Sequence, residues 1–513
     1  MILKLLPEMK KSILITVICI AVSGLKAQTE NPVITKLFED SYHVFELMRN
    51  EKGMYRDSKL LKNNNDYHPA SVANVGVGLV SLCIADAMGW DSEAAEKAIV
   101  TLKSVNGHTP GFAPDRTSNG YFRHFIDMNT GEQAWSSEYS TIDTDILMIG
   151  AIFCKNYFSN NSTISVLVDE LWDSIDFTAA INDPVSGKIY LTMNADGSGG
   201  TNKTLPYNEY MLVAWLAKND FKNNTTQAQQ LWNNWYQNPA NLPKSTYSGI
   251  QVLTDDHGEK RFLSSFIHLF NYYYISYFSD SNDYMQFFTN SVLAEKAYWQ
   301  NSTGEDYEWG CGAGIDVDGY TANKINNNPN WTVSPHIIAG YLPIQASAED
   351  DLLDLINNSK GVYDLPDNSS SQILWRYSLS NTSWTPNSVQ GIDFSTMLYG
   401  LACLPEYLGN DFFTTYNRLD YATSVEGANL TNDISVRILP NPAIGGKCIV
   451  KHNGFFNPSI YVYTLSGTLI DSFKSQEGQT ELDLNSYYEP VYLIKVADEK
   501  HHRVEKLLVN TSW

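Results

Sequence analysis

Between residues 33 and 420, apolar positions recur at three- and four-residue spacing, in runs separated by Gly, Pro, Asn and aromatic clusters. That period places side chains on one face of a helix and predicts amphipathic helices. The runs are Val33–Met48, Val72–Met88, Ser92–Lys103, Ser140–Tyr157, Ser162–Ser174, Pro206–Asn219, Thr226–Tyr236, Phe262–Phe278, Asn282–Trp299, His336–Leu342, Ala348–Ile356 and Ile392–Leu408. They fall into pairs joined by longer connections. Pairs over this length predict a mainly α chain built as an (α/α)6 toroid, in which the loops at one end line a cleft. An open solenoid is the other arrangement, but no fixed-period repeat is present.

Past residue 433 the period changes. Ser435–Leu439, Ile460–Tyr463, Thr480–Leu484 and Val491–Val496 are short, mostly alternating or β-branched runs. Turn signals at Asn441-Pro442, Ser466-Gly467 and Glu477-Gly478 punctuate them, which predicts a small antiparallel β-sandwich. The predicted organisation is therefore a helical domain over 28–420, a linker over 421–433 and a β domain over 434–513. Residues 1–27 read as a signal peptide. Lys4, Lys10 and Lys11 precede an apolar run from Ile13 to Leu25, and Leu25-Lys26-Ala27 offers a cleavage site. The run is too short to span a bilayer, so export without membrane insertion is expected.

Charge narrows the partners. The formal net charge is −22, a field that repels nucleic acid and anionic membranes but not a neutral glycan. Of six cysteines, Cys19 falls in the leader. The other five are scattered and form neither a disulfide framework nor a zinc pattern. Cys83, Cys154 and Cys403 sit in apolar helical pattern and are expected in the core. Asp316, Asp318 and Gly319 resemble half a calcium loop, with no acid to complete it.

One stretch, Gly120 to Thr144, is both aromatic and charged. Tyr121, Phe122, His124, Phe125 and Trp135 stand among Arg123, Asp127, Glu138 and Asp143. Rings beside carboxylates suit a sugar cleft: the apolar face of a pyranose lies on a ring while acids take its hydroxyls or act on the glycosidic bond. A well-packed loop with a helix cap accounts for the same residues. Ser140 to Asp143 fits a capping box, which gives Asp143 a purely structural role alongside one in a cleft.

Two resemblances sharpen these expectations. Leu439-Pro440-Asn441-Pro442-Ala443, Val462 to Gly467, Tyr492 to Val496 and Glu505 to Val509 make the tail resemble the type A C-terminal sorting domain of the type IX secretion system. That implies contact with the secretion machinery and a secreted or cell-surface location. Gly120 to Asp127, Ser137 to Thr144, Tyr207 to Tyr210, Trp309 to Ala313, Ser334 to His336 and Gly391 to Asp393 make the helical region resemble glycoside hydrolase family 144, the endo-β-1,2-glucanases.

The family resemblance implies an inverting, cofactor-free hydrolase acting on a poly- or oligosaccharide; a monomer is expected. By position it makes Glu209 the acid and Asp393 the base. Proton transfer through a substrate hydroxyl is compatible with such sites. Glu138, Asp143, Arg123, His124, Tyr121, Trp135, His268, Trp309, Tyr320 and Trp384 are the expected substrate-binding residues. One departure falls on the subsites. The family carries H-Q-Y-S-H-x-W-I-D in a central helix, whereas Phe266 to Ser276 keeps only His268 of its histidines and lacks the acid. A non-catalytic surface glycan-binding protein and an exo-acting glucosidase are the alternatives this leaves open.

Overall fold

The structure, a computed structural model, describes residues 31–419 and 435–509 apart from 63–67, 256–260, 368, 445–446, 454, 456, 465–467, 476–477, 485–490 and 499–501. The expected signal peptide (1–27) and linker (421–433) lie outside the described residues. Contacts divide the chain into two compact units, Met1–Ala422 and Thr423–Trp513.

The first unit is helical, and its helices alternate in character. Outward-facing members are α1 (Pro32–Met48), α3 (Ala94–Val105), α5 (Ser162–Asp173), α7 (Thr225–Leu231), α10 (Asn282–Trp299) and α12 (Ala348–Asn357). Each buries a stripe and exposes the rest; α12, for example, buries only Ala348, Leu352 and Leu355. Their partners are α2 (Val72–Ala87), α4 (Thr141–Tyr157), α6 (Met211–Asn219), α8 (Ser265–Tyr274), α11 (Pro335–Gly340) and α13 (Gly391–Ala402). These are buried almost all round; every residue of α2 from Val72 to Ala85 is inside. Each partner helix packs on the next, from α2 through α4, α6, α8 and α11 to α13, and α13 packs back on α2.

The tightest of these crossings need glycine. A Cβ on Gly150 in α4 would stand 2.2 Å from the Gly76 carbonyl oxygen of α2, and one on Gly400 in α13 would stand 1.9 Å from the Ala339 oxygen of α11. Backbone meets backbone there, and no side chain can swing aside.

The segments leading into these inner helices are sewn together by short antiparallel ladders. Ser58–Leu60 pairs with Ser388–Gln390 just before α13, Ala70–Ser71 before α2 with Phe125–Ile126, Tyr139–Ser140 before α4 with Thr192–Met193, and Thr332–Val333 before α11 with Tyr377–Ser378. Two- and three-residue pairings between distant loops leave no period in the sequence, so the pattern analysis missed them.

Helix limits differ from expectation in several places. Phe262–Phe278 is broken where Ile275 turns extended (φ −140°), leaving a short α9 (Ser276–Ser279) after α8. The run from Pro206 becomes helical only at Met211, and α13 ends at Ala402 rather than Leu408. A further helix, α14 (Asp411–Tyr416), follows. The five described cysteines are all buried and unpaired.

The second unit is strand-rich. β1 (Ser435–Ile444), β2 (Lys447–Asn453) and β5 (Gln479–Asp483) form one antiparallel sheet in the order β1-β2-β5. β3 (Ser459–Thr464), β4 (Leu469–Lys474), β6 (Val491–Ala497) and β7 (His502–Leu508) form another in the order β4-β3-β6-β7. Alternate residues from both sheets, among them Val450, Leu482, Ile460, Val462, Ile494 and Val496, share one core.

The glycine crossings give a direct test. Gly150→Ala and Gly400→Ala should each destabilise the helical unit by about 2 kcal/mol or more, read as a drop in thermal midpoint. Substitution by leucine should abolish soluble folded protein.

Candidate active site

The N-terminal ends of the inner helices gather the charged residues. Asp143 lies in the first turn of α4 and Asp393 in the first turn of α13, while Glu209 stands two residues ahead of α6. Carboxylates there face the positive ends of helix dipoles. The capping box is half formed. Ser140 Oγ accepts the Asp143 amide at 3.2 Å, but the Ser140 amide is taken by the Phe122 carbonyl. The Asp143 carboxylate turns instead toward His124 Nε2, 3.6 Å away.

His124 is the hub of one side. Its Nδ1 meets Glu138 Oε1 at 3.1 Å, and its ring stacks on Phe125 with centroids 3.7 Å apart. Burial alone would discharge the imidazole. Asp143, Glu138 and Asp57 overcome that and push its pKa up to about 9. His124 is therefore a cation at neutral pH. Trp135 extends this side outward: it is 56% exposed and meets the Phe125 and His68 rings edge-on at 5.0 and 5.7 Å.

Glu209 and Asp393 differ from Asp143 and Glu138, which face His124. Neither forms an ion pair among the described residues. Glu209 keeps some access to solvent yet is enclosed by protein, the situation of a group on a cleft floor. Burial raises its pKa to about 7, with Asp143 and Asp255 adding repulsion. Asp393 is 2% exposed; burial raises its pKa to about 7 as well, with Asp57 adding to it and the Tyr320 hydroxyl and Arg376 opposing. Tyr320 donates to Asp393 Oδ1 at 3.3 Å, while Oδ2 has no hydrogen-bond partner among the described residues. Electrostatic coupling runs from Glu209 to Asp143, from Asp143 to Asp57, and from Asp57 to Asp393. Residues remote in sequence thus share one end of the inner helices.

Several expected binding residues turn out to be structural. Tyr121 is fully buried and donates to the Asp176 and Phe177 carbonyls. Trp309 is fully buried, with Nε1 donating to Asp351 at 2.7 Å. Neither ring can meet a sugar, and both expectations are corrected on that ground. His268 is 4% exposed, bonded to the Tyr207 hydroxyl at 3.1 Å, and burial lowers its pKa to about 4, so it is a neutral core histidine and not a subsite wall. Arg123 is committed to Asp115 at 2.9 Å and the Ser137 carbonyl at 2.7 Å, and lies over the Tyr139 ring. Trp384 is half-buried on the turn that precedes α13. Tyr320, 59% exposed on the Ile315–Asp316/Gly319–Tyr320 hairpin, offers a free ring face.

Two participants escaped the sequence analysis. Asp57 sits between α1 and the Ser58–Leu60 ladder, in a loop with no motif; burial raises its pKa, and His124 and His68 oppose this. Arg376 follows Trp375 in a buried segment. Its one sequence signal is an arginine flanked by aromatic residues, which fits an exposed loop equally well. Asp316, which would have headed the half calcium loop, faces Arg376 at 3.7 Å and accepts from Asn323 and Thr332. Among the described residues no cluster of His, Cys, Asp and Glu is arranged to hold a metal, and no helix is long and apolar enough to cross a membrane.

Residues 437–510 match the family model for the secretion system C-terminal sorting domain. A domain of this kind directs a chain to type IX secretion and so to the cell surface or the medium. No curated protein is detectably similar to the chain in sequence. Among solved structures, an endo-β-1,2-glucanase from Chitinophaga pinensis, in complex with sophorotriose and glucose, is similar with a TM-score of 0.63 at 17% identity; the match covers 76% of this chain and 95% of that one. A Bacteroides uniformis protein provisionally named a glucoamylase matches with a TM-score of 0.63 at 15% identity, covering 76% and 95%. A β-1,2-glucanase from Parabacteroides distasonis matches with a TM-score of 0.60 at 14% identity, covering 74% of this chain and 57% of that one. At these identities the likeness is one of fold.

The unpaired acids carry a stability signature. Asp393 binds its proton more tightly folded than unfolded, so the folded state loses stability as pH rises from about 4 through about 7. Asp393→Asn should therefore melt at least about 2 °C above the unsubstituted protein at pH 8, with the gain vanishing near pH 4. A calorimetric pH series measures it.

Proposed function

We propose that the chain is an exported inverting glycoside hydrolase that cleaves a β-glucan, with endo cleavage of β-1,2-glucan as its activity and an (α/α)6 toroid as its catalytic domain. The observation that carries this reading is the pair Glu209 and Asp393. Both lie at one end of the inner helices, both are free of ion pairs among the described residues, and both titrate at about 7. The fold shared with β-1,2-glucanases supports the substrate class.

In this reading Glu209 holds a proton at neutral pH and gives it to the departing glycosidic oxygen, directly or through a substrate hydroxyl. Asp393, ionised, takes a proton from the water that attacks the anomeric carbon on the opposite face. Exposed Tyr320 and Trp135 supply ring faces for glucosyl units, and Glu138 and Asp143, held by His124, accept sugar hydroxyls. Residues 1–27 are removed as a signal peptide, and the tail is used by the type IX machinery.

One observation favours a second reading, a glycan-binding protein without turnover: the central helix of the family motif is altered, and its remaining histidine, His268, is buried against Tyr207. Tight oligosaccharide binding with no products would establish it.

Incubation with linear β-1,2-glucan should release reducing ends whose first-formed anomer is inverted by NMR. Glu209→Gln and Asp393→Asn should each lower kcat by about 10²–10⁴-fold. Because one group must be protonated and the other ionised, kcat/KM should peak near pH 7 and fall on both sides. Full activity in Glu209→Gln, or no products from any glucan, removes the proposal.

A further inference from the structure

The hairpin that carries Tyr320 is held from beneath by a residue that neither approaches the substrate nor bonds to either acid. Arg376 is fully buried. Its Nη1 donates to the Gly314 carbonyl, just before the hairpin, and to the Thr321 carbonyl, just after it, at 3.3 Å. Its Nη2 faces Asp316, within the hairpin, at 3.7 Å. One guanidinium thus grips both ends and the first strand of an eight-residue loop, 314–321. The other anchor is Gln390, the residue immediately ahead of α13, whose Oε1 accepts the Ile315 amide at 2.8 Å. The hairpin is consequently registered against the helix that bears Asp393.

What this registration fixes is the Tyr320 hydroxyl. It donates to Asp393 Oδ1, while Oδ2 is buried and has no hydrogen-bond partner among the described residues. The ring of the same tyrosine is exposed. Resting on the reading of Asp393 as base, we propose that Tyr320 links sugar stacking to the orientation of the base, its hydroxyl holding Oδ1 and so fixing the plane of the carboxylate that takes the water's proton, and that Arg376 is the positioning residue that keeps Tyr320 there. The proton path is unchanged: water gives its proton to the Asp393 carboxylate, its oxygen bonds the anomeric carbon, and the glycosidic oxygen leaves with the proton of Glu209. Tyr320 keeps its own proton throughout.

Arg376, Asp57 and the Tyr320 hydroxyl are the groups that act on Asp393 from the elements packed around it. The charge of Arg376 and the hydroxyl of Tyr320 both favour its ionised form. Their loss therefore moves its titration upward.

The test combines Tyr320→Phe, Tyr320→Ala, Arg376→Met and Arg376→Lys in the full-length protein. Tyr320→Phe keeps the ring and should lower kcat about tenfold or more, leave KM within about twofold, and move the acidic limb of kcat/KM upward by about half a pH unit or more. Tyr320→Ala should raise KM in addition. Arg376→Met should reproduce the kcat loss and limb shift of Tyr320→Phe, Arg376→Lys should restore part of both, and the Arg376→Met/Tyr320→Phe double variant should be no worse than the poorer single one. Additive losses, a change in KM alone, or an unmoved pH limb would overturn the assignment. If Arg376→Met does not fold, Arg376→Lys and Tyr320→Phe still decide it, since Tyr320 lies on the surface.

A substrate-free readout separates this claim from the hydrolase reading. The pH at which the thermal midpoint of each variant departs from that of its Asp393→Asn counterpart reports the titration of Asp393. It should move upward in Tyr320→Phe and Arg376→Lys even if no glucan is ever cleaved. An unchanged value would sink the positioning role while leaving the hydrolase reading intact.

Discussion

Two carboxyl groups enclosed by protein without a counter-ion constrain everything built around them. An isolated buried carboxylate is costly, so a fold that holds one must either let it take a proton or place favourable dipoles and donors nearby. Here both devices are present. Glu209 and Asp393 sit where helices begin, and each is pushed up to about 7, where the protonated and ionised forms are close in free energy. A group poised in that way exchanges protons readily at neutral pH, which suits an acid and a base working in turn.

The cations nearby are distributed so that this poise survives. His124 is charged, but its ring is occupied by Glu138 and Asp143. Arg376 is spent on the ends of the Tyr320 hairpin and on Asp316. Had either cation reached Glu209 or Asp393 directly, the carboxyl would have dropped to an ordinary ion-paired value and lost its proton well below neutrality. The structural acids around the site therefore draw the positive charge away from Glu209 and Asp393.

The scaffold accounts for how residues so far apart in sequence share one end. Six helices are buried almost all round and are brought backbone to backbone at Gly76 and Gly150 and at Ala339 and Gly400, and four of them begin beside segments tied by short ladders. A depression of about 640 Å³ lined by Asp86, Tyr157, Asn161 and Tyr416 lies at the other end, by the last turns of α2 and α4. It contains none of the acids discussed above. The richness in aromatic residues serves mainly the core: Trp309, Trp375, Tyr207 and Tyr273 are fully buried, and only a few rings such as Trp135 and Tyr320 face outward.

The helices and the strand-rich tail were legible because each is written locally. A three- to four-residue period marks a buried stripe and a two-residue period marks a sheet face, and both survive in a single sequence. The acids in first turns, Asp143 and Asp393, were legible for the same reason, since helix starts have local signatures. What a side chain faces is not local. Tyr121 and Trp309 read like sugar platforms and are core; Arg123 reads like a sugar ligand and is an internal ion pair; Asp57 and Arg376 carried no motif and stand at the centre of the electrostatics. Ladders of two or three residues between loops tens to hundreds of positions apart decide those neighbours, and neither burial nor pairing across such distances leaves a period for the chain to display.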